Sequence, residues 1–273
     1  MKSLAGSLLV LALAALALYA VVLALLWWKQ EALLFHPQPL AADHRLANEP
    51  DVHEERVQVP GATLSVLHLR LREPRGVVFY LHGNAGNLAG WFTDASFYRE
   101  AGYDLVMPDY RGYGKSTGRI ESPAQLREDV RAVWDSVAPR YTGGRIVLYG
   151  RSLGTGLAAD LAEQLTREGR PPHLTVLATP YSSLRELAAE FYPWVPGGLL
   201  RYPLDTGRHL PHIGGRVLLV HAGEDSLIGL HHSERLMRVA PAARLLVIPG
   251  AGHNDLHLFP SYREAMRREL AAR

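Results

Sequence analysis

The chain has 273 residues, with 29 Lys and Arg against 27 Asp and Glu, a net charge of +2 and no cysteine. That length suffices for one large domain with a full core. The balanced charge, without blocks of like sign, argues against a nucleic-acid partner, and the missing thiols exclude disulfides, cysteine ligands and a cysteine nucleophile.

The first element is an apolar run from Leu4 to Trp28 that carries no charge. As a helix, about 25 residues span roughly 37 Å, more than the roughly 30 Å hydrocarbon core of a bilayer. Trp27-Trp28-Lys29 supplies the aromatic and cationic edge of an interface. A cleaved signal peptide fits less well, because the run is too long for an h-region and its small-x-small pattern, Ala15-x-Ala17, lies inside it. The expectation is a transmembrane anchor over residues 1–29. The positive charges of Lys2 and the α-amine favour the N-terminus inside, which places the rest of the chain outside the cytoplasm.

Residues 30–53, with Pro37, Pro39 and Pro50, read as a linker in which Phe35-His36-Pro37 packs the domain onto the membrane surface. From residue 54 to 273 strands and helices alternate. Glu55–Pro60 and Thr63–Leu71 predict a hairpin turned at Pro60-Gly61, and Gly76–Leu81 a strand buried on both faces. Asn87–Ala101 predicts a helix stopped by Gly102, Tyr103–Pro108 a strand, and Ser122–Ala138 a helix opened by a serine cap and a first-turn proline. Further strands are expected at Ile146–Tyr149, Leu174–Ala178, Val217–Ala222 and Arg244–Pro249, with helices to about Glu168, over His231–Val239 and over Tyr262–Ala272. The alternation predicts an α/β fold with a mostly parallel sheet. Residues 181–211 are too long for a simple crossover and predict a small cap, with Phe191, Tyr192 and Trp194 at hand for a pocket or a membrane contact.

The chemistry centres on Gly150-Arg151-Ser152-Leu153-Gly154, set between a strand and a helix. A sharp strand-to-helix turn presents one serine, and the flanking glycines remove Cβ atoms that would collide there. A serine needs a base, and the base needs an acid to orient it. Gly223-Glu224-Asp225 and Gly250-Ala251-Gly252-His253-Asn254-Asp255 follow two later strands, where an open parallel sheet carries its functional loops. The expected set is Ser152 as nucleophile, His253 as base and Asp225 as acid, with Glu224 and Asp255 as alternative acids. An oxyanion needs two donors. The N–H of Leu153 supplies one, and the loop His82-Gly83-Asn84-Ala85-Gly86-Asn87 the other, with Asn84 as the expected donor. His82 is expected to stabilise that turn rather than act as a second base.

Gly112-Tyr113-Gly114-Lys115-Ser116 fails as a nucleotide loop because Asp109 stands where a glycine is required. His209, His212, His221, His231 and His232 show no metal-ligand spacing, so neither metal nor cofactor is expected.

Leu81–Asn87, Asp109–Gly118, Tyr149–Gly154 and Gly250–Asp255 together make the chain resemble the α/β-hydrolases, more narrowly the membrane-anchored abhydrolase-domain serine hydrolases. It is similar to eukaryotic protein depalmitoylases and to sequences labelled serine aminopeptidase-like. Depalmitoylases reach membranes through lipidated cysteines, which this chain lacks. The resemblance implies the α/β-hydrolase fold and a serine hydrolase that cleaves an ester or thioester through an acyl-enzyme. The substrate expected beside an anchor is lipid-like or acylated. Two alternatives stand: an aminopeptidase using Glu186 or Glu190 to hold an amine, and a non-catalytic membrane scaffold.

Overall fold

The computed structural model describes residues 2–272, so the α-amine of Met1 lies outside the described residues. The β-branched and apolar runs form one eight-stranded sheet. Its strands are β1 (Val52–Val59), β2 (Ala62–Leu69), β3 (Gly76–Leu81), β4 (Asp104–Pro108), β5 (Arg145–Arg151), β6 (Leu174–Ala178), β7 (Arg216–Ala222) and β8 (Arg244–Ile248), in the order β8-β7-β6-β5-β3-β4-β2-β1. β2 runs antiparallel to both its neighbours, and every other pairing is parallel. This is the α/β-hydrolase fold that the motif blocks implied.

The helices of five residues or more are α1 (Lys2–Trp28), α2 (Gln30–Leu34), α3 (Ala95–Ala101), α4 (Pro123–Val137), α5 (Leu153–Arg167), α6 (Leu184–Phe191), α7 (Leu230–Val239) and α8 (Pro260–Ala271). Along β3 the side chains alternate between two cores. Val77, Phe79 and Leu81 face α4 and α5 with Trp134 and Leu157, whereas Val78 and Tyr80 face α3 and α8 with Phe97 and Met266. Burial on both faces explains why the central strands read as unbroken apolar runs. The Ser122 side chain caps α4 by accepting from Gln125 N–H at 3.1 Å, and Gly102 stops α3 with φ 76°.

Two stretches depart from the sequence reading. The helix expected over Asn87–Ala101 is interrupted between Trp91 and Ala95. The Trp91 indole bends down to donate to Ala85 O at 2.7 Å, and Asp94 turns out to pair with Arg263 at 2.9 Å. Residues 30–53 form a strap rather than a free tether. His36–Pro37 pairs in parallel with Ala85–Gly86, and Pro39 bridges to Gly114. Phe35 faces inward instead of onto a membrane: it is 5 % exposed and meets the Tyr202 ring edge-on at 5.2 Å.

α1 contains the run Leu4–Trp28, which is long and apolar enough to cross a membrane and is not buried in the protein. The β6–β7 connection contains α6, a 3-10 turn at Gly197–Leu199 and a short helix at Thr206–His209. Tyr181, Tyr202 and Leu204 bury its base, while Phe191, Tyr192 and Trp194 at its tip stay exposed.

Candidate active site

β3, β5, β6, β7 and β8 end on the same edge of the sheet, and the loops that leave them meet there. Between β5 and α5, Ser152 has φ 50° and ψ −116°. A non-glycine residue at positive φ costs about 1–3 kcal/mol and persists only where its surroundings impose it. Its N–H donates to Ala178 O at 3.0 Å. A Cβ on Gly150 would lie 2.4 Å from Gly154 O, and one on Gly154 2.0 Å from Leu81 O. Both glycines are therefore demanded by the close approach of α5 to β5 and β3.

The structure brings together all three residues of the expected set. His253 Nε2 is 3.0 Å from Ser152 Oγ, and His253 Nδ1 is 2.7 Å from Asp225 Oδ2. An ionised carboxylate only accepts, so Nδ1 carries the proton and the Nε2 lone pair faces the serine hydroxyl. Asp225 Oδ1 accepts from the N–H groups of Leu227 at 2.9 Å and Ile228 at 2.8 Å. Burial pushes this carboxyl up, but the hydrogen bonds from His253, Ile228 and Leu227 outweigh it and hold the pKa below the ordinary value. The alternative acids lie elsewhere. Glu224 is exposed, and Asp255 Oδ1 accepts from Gly252 N–H at 2.7 Å within its own loop.

The loop after β3 runs beside the serine: a Cβ on Gly83 would sit 3.7 Å from Ser152 Cβ and 3.1 Å from the Trp91 ring. Its carbonyls are each held. Tyr110 Oη donates to His82 O at 2.8 Å and His82 Nδ1 to Gly83 O at 2.7 Å. Asn84 O accepts from Tyr113 Oη at 2.6 Å and His36 N–H at 2.8 Å. Fixing the Gly83 carbonyl fixes the Asn84 N–H in the opposite direction, because the peptide is planar. The Asn84 side chain is turned away and donates to Leu34 O at 3.1 Å. What Asn84 has free for an anion is its main-chain N–H; Leu153 N–H, at the start of α5, is one of the unpaired donors of a helix N-terminus. His82 is fully buried, and its bond to Gly83 O lies within the turn itself.

The sequence reading assigned no role to Arg151. Its side chain runs under the His253 loop, is 4 % exposed, and Nη2 donates to His253 O at 2.7 Å. Its other neighbours are the phenols of Tyr80, Tyr149 and Tyr262. Among the described residues this buried guanidinium has no carboxylate partner; an arginine at the end of an apolar strand, directly before Ser152, was the signal the sequence offered.

Glu190, His231 and His232 offer ligand atoms within 4.8 Å of one another, a grouping that spacing along the chain did not reveal. Ser182 N–H donates to His232 Nδ1 at 3.2 Å, which puts the ring proton on Nε2; that atom lies 3.3 Å from Glu190 Oε1 without a hydrogen bond to it. A metal there would need the opposite tautomer.

The family described as serine aminopeptidase, S33, matches residues 72–202. An uncharacterized protein of Mycobacterium tuberculosis is 36% identical over 201 residues, covering 71% of this chain and 69% of that one. The chain belongs to the α/β-hydrolase superfamily. The lysophosphatidylserine lipase ABHD12 of Gallus gallus is 30% identical over 187 residues, covering 62% of this chain and 48% of the lipase. This chain thus spans about half the length of that lipase. Among solved structures, the Pyrococcus furiosus esterase Pf2001 superposes with a TM-score of 0.66 at 18% identity, covering 87% of this chain and 97% of the esterase. An α/β-hydrolase from Vibrio vulnificus gives a TM-score of 0.68 at 18% identity, covering 81% of each chain. At that identity the likeness is one of fold.

Proposed function

We propose that the chain is a serine hydrolase that cleaves a carboxylic ester or thioester through an acyl-enzyme intermediate. The observation that carries this is the continuous hydrogen-bonded line Ser152–His253–Asp225, drawn from three separate loops. His253 takes the Ser152 proton as Oγ attacks the carbonyl carbon, then gives it to the leaving group. It next takes a proton from water, whose oxygen displaces Ser152 from the acyl carbon, and returns that proton to Oγ. Asp225, held ionised, keeps the imidazole in the required tautomer and stabilises its charged form. The N–H groups of Leu153 and Asn84 receive the oxyanion in each step.

The lipid-like substrate and the membrane anchor belong to the same reading. They are supported by the exposed apolar helix Leu4–Trp28 and by the likeness to a lipase whose name specifies a lysophospholipid. The helix acts as a signal anchor, with the hydrolase domain outside the cytoplasm. An aminopeptidase would need a free carboxylate for the substrate amine. Glu186 is already engaged by Ser182 and by Arg235 at 2.6 Å, and Glu190 by His231 at 2.7 Å.

The test is labelling by a fluorophosphonate probe in detergent-solubilised protein. Labelling is expected in the parent, absent in Ser152→Ala and kept in Ser136→Ala, a helix serine outside the site. Failure of the parent to label would overturn the mechanism. Turnover of p-nitrophenyl esters from acetyl to palmitoyl, beside aminoacyl anilides, then ranks the acyl chains.

A further inference from the structure

α1 does not leave the domain at its end. Tyr19, about nine residues or 13 Å before Trp28 along the helix, donates its hydroxyl to Trp194 O at 2.8 Å. Leu4 to Tyr19 spans only about 22 Å, so a bilayer core of about 30 Å that begins near Leu4 ends beyond Tyr19. The tip of the β6–β7 connection therefore reaches below the interface, where Phe191, Tyr192 and Trp194 are 51%, 55% and 50% exposed. Nearer the domain, Gln30 Nε2 donates to Leu199 O at 2.8 Å, its Oε1 accepts from Arg201 N–H at 2.7 Å, and Glu31 pairs with Arg201 at 2.5 Å.

Beside these ties α1 and α2 stand apart from the connection and leave a groove of ≈ 220 Å³. Leu26, Leu33 and Leu34 form one wall, and Ala188, Ala189 and Leu199 the other. Arg185 lies at the rim with its stem against Gly197, where a Cβ would be 3.3 Å from Cγ. Lys29 sits over the Trp28 ring at 4.1 Å. Among the described residues neither cation has a carboxylate partner. The wall residue Leu34 is the one whose carbonyl receives the Asn84 side chain, so the groove backs onto the loop beside Ser152.

We propose that this groove takes one acyl chain of an anionic phospholipid directly from the bilayer, with Arg185 at its edge receiving the phosphate. The proposal rests on the membrane part of the reading above and adds the route by which a lipid reaches the site. An apolar slot walled on one side by a membrane-crossing helix opens into hydrocarbon, and a chain that enters it leaves one apolar medium for another. The headgroup stays at the interface, where Arg185, without a carboxylate partner among the described residues, favours an anion. The tie at Tyr19 keeps the mouth at bilayer depth.

The test uses full-length Ser152→Ala protein in phosphatidylglycerol vesicles that carry a phospholipid with a terminal diazirine on one acyl chain. After photolysis, mass spectrometry is expected to find label on the tryptic peptide containing Glu186–Arg201. Ala189→Trp, which fills the slot from an exposed position, is expected to cut that label at least fivefold and leave label on α1 unchanged. Arg185→Gln is expected to remove a preference for phosphatidylglycerol over phosphatidylcholine. No label on Glu186–Arg201, or equal label in Ala189→Trp, overturns the proposal. Fluorophosphonate labelling of the protein with Ser152 intact separates the two readings. Normal probe labelling without lipid label removes only the groove. Lipid label without probe labelling keeps the groove as a lipid site and removes the hydrolase.

Discussion

Arg151 invites a quantitative test, because its expected effect on rate and its effect on stability have opposite weights. Its Nη2 donates to the carbonyl of His253 at 2.7 Å, and its charge is buried without a carboxylate partner among the described residues. A hydrogen bond from a charged group contributes about 1.5–3 kcal/mol. If that bond holds the imidazole in line with Ser152 only in the working geometry, its loss raises the barrier by the same amount, about 10- to 150-fold in kcat. A buried cation without a counter-ion contributes little to folding, and an apolar side chain of similar length is neutral or better. Arg151→Met is therefore expected to lower kcat on p-nitrophenyl butyrate by one to two orders of magnitude, with KM unchanged and Tm within a few degrees of the parent. Arg151→Lys, which keeps the charge on a shorter stem, should fall between them. Steady-state kinetics and calorimetry on the same preparations decide it. An unchanged kcat in Arg151→Met, or a kcat that falls only in step with Tm, refutes the positioning role.

Asn84→Ala separates a main-chain from a side-chain oxyanion donor. With the side chain committed to Leu34 O, kcat should drop no more than about fivefold, whereas removal of a true oxyanion donor costs about 10²–10³. A hundredfold loss would restore the side chain to that role. Gly154→Ala places a methyl 2.0 Å from Leu81 O and 2.9 Å from His82 O, so it should lose about 3 kcal/mol or more, or fail to fold, while Gly198→Ala, with nothing within 4 Å, should keep the parent Tm. Burial lowers the pKa values of His221, His232 and His257 from the ordinary 6.5. The unfolded chain then binds these protons first. Stability is full above about pH 6.5 and declines below it, by at most about 1.4 kcal/mol per pH unit for each histidine. Tm should fall between pH 7.5 and 5.5, with a shallower slope in His257→Asn, and a flat Tm across that window would contradict the assignment.

What was legible in the sequence was whatever is written in local periodicity or in a glycine. Gly76–Leu81 and Leu174–Ala178 were placed to the residue because strands buried on both faces read as short apolar runs, broken here only by the buried Thr175. Gly150 and Gly154 were legible because only a missing Cβ lets α5 lie against β5 and β3. Ser152, His253 and Asp225 followed from placing loops on strand ends, a consequence of parallel topology rather than of sequence separation. The strap at residues 35–39 was not legible. Its prolines and exposed side chains read as linker, yet its backbone is what bonds to Asn84, Gly86 and Gly114. Backbone pairing by an irregular segment leaves no side-chain pattern to find.

The block Asp109-Tyr110-Arg111-Gly112-Tyr113-Gly114 shows the same limit from the other side. Its residue types carried the family resemblance, but only the structure gives their physical use. Tyr110 and Tyr113 hold the carbonyls of His82 and Asn84, Asp109 accepts from Leu88 N–H at 3.3 Å, and Arg111 closes onto Asp129 at 2.5 Å. Burial keeps both phenols protonated, so they remain donors across the working pH range. The loop beside Ser152 is thus clamped from three directions: by this block, by the strap that follows α2, and by Trp91 on its own helix. All three clamps lie remote in sequence from the serine, and one is continuous with the apolar helix. A lipid that displaced α1 relative to the sheet would pull on Leu34 and His36, and through them on the peptide that presents the Asn84 N–H.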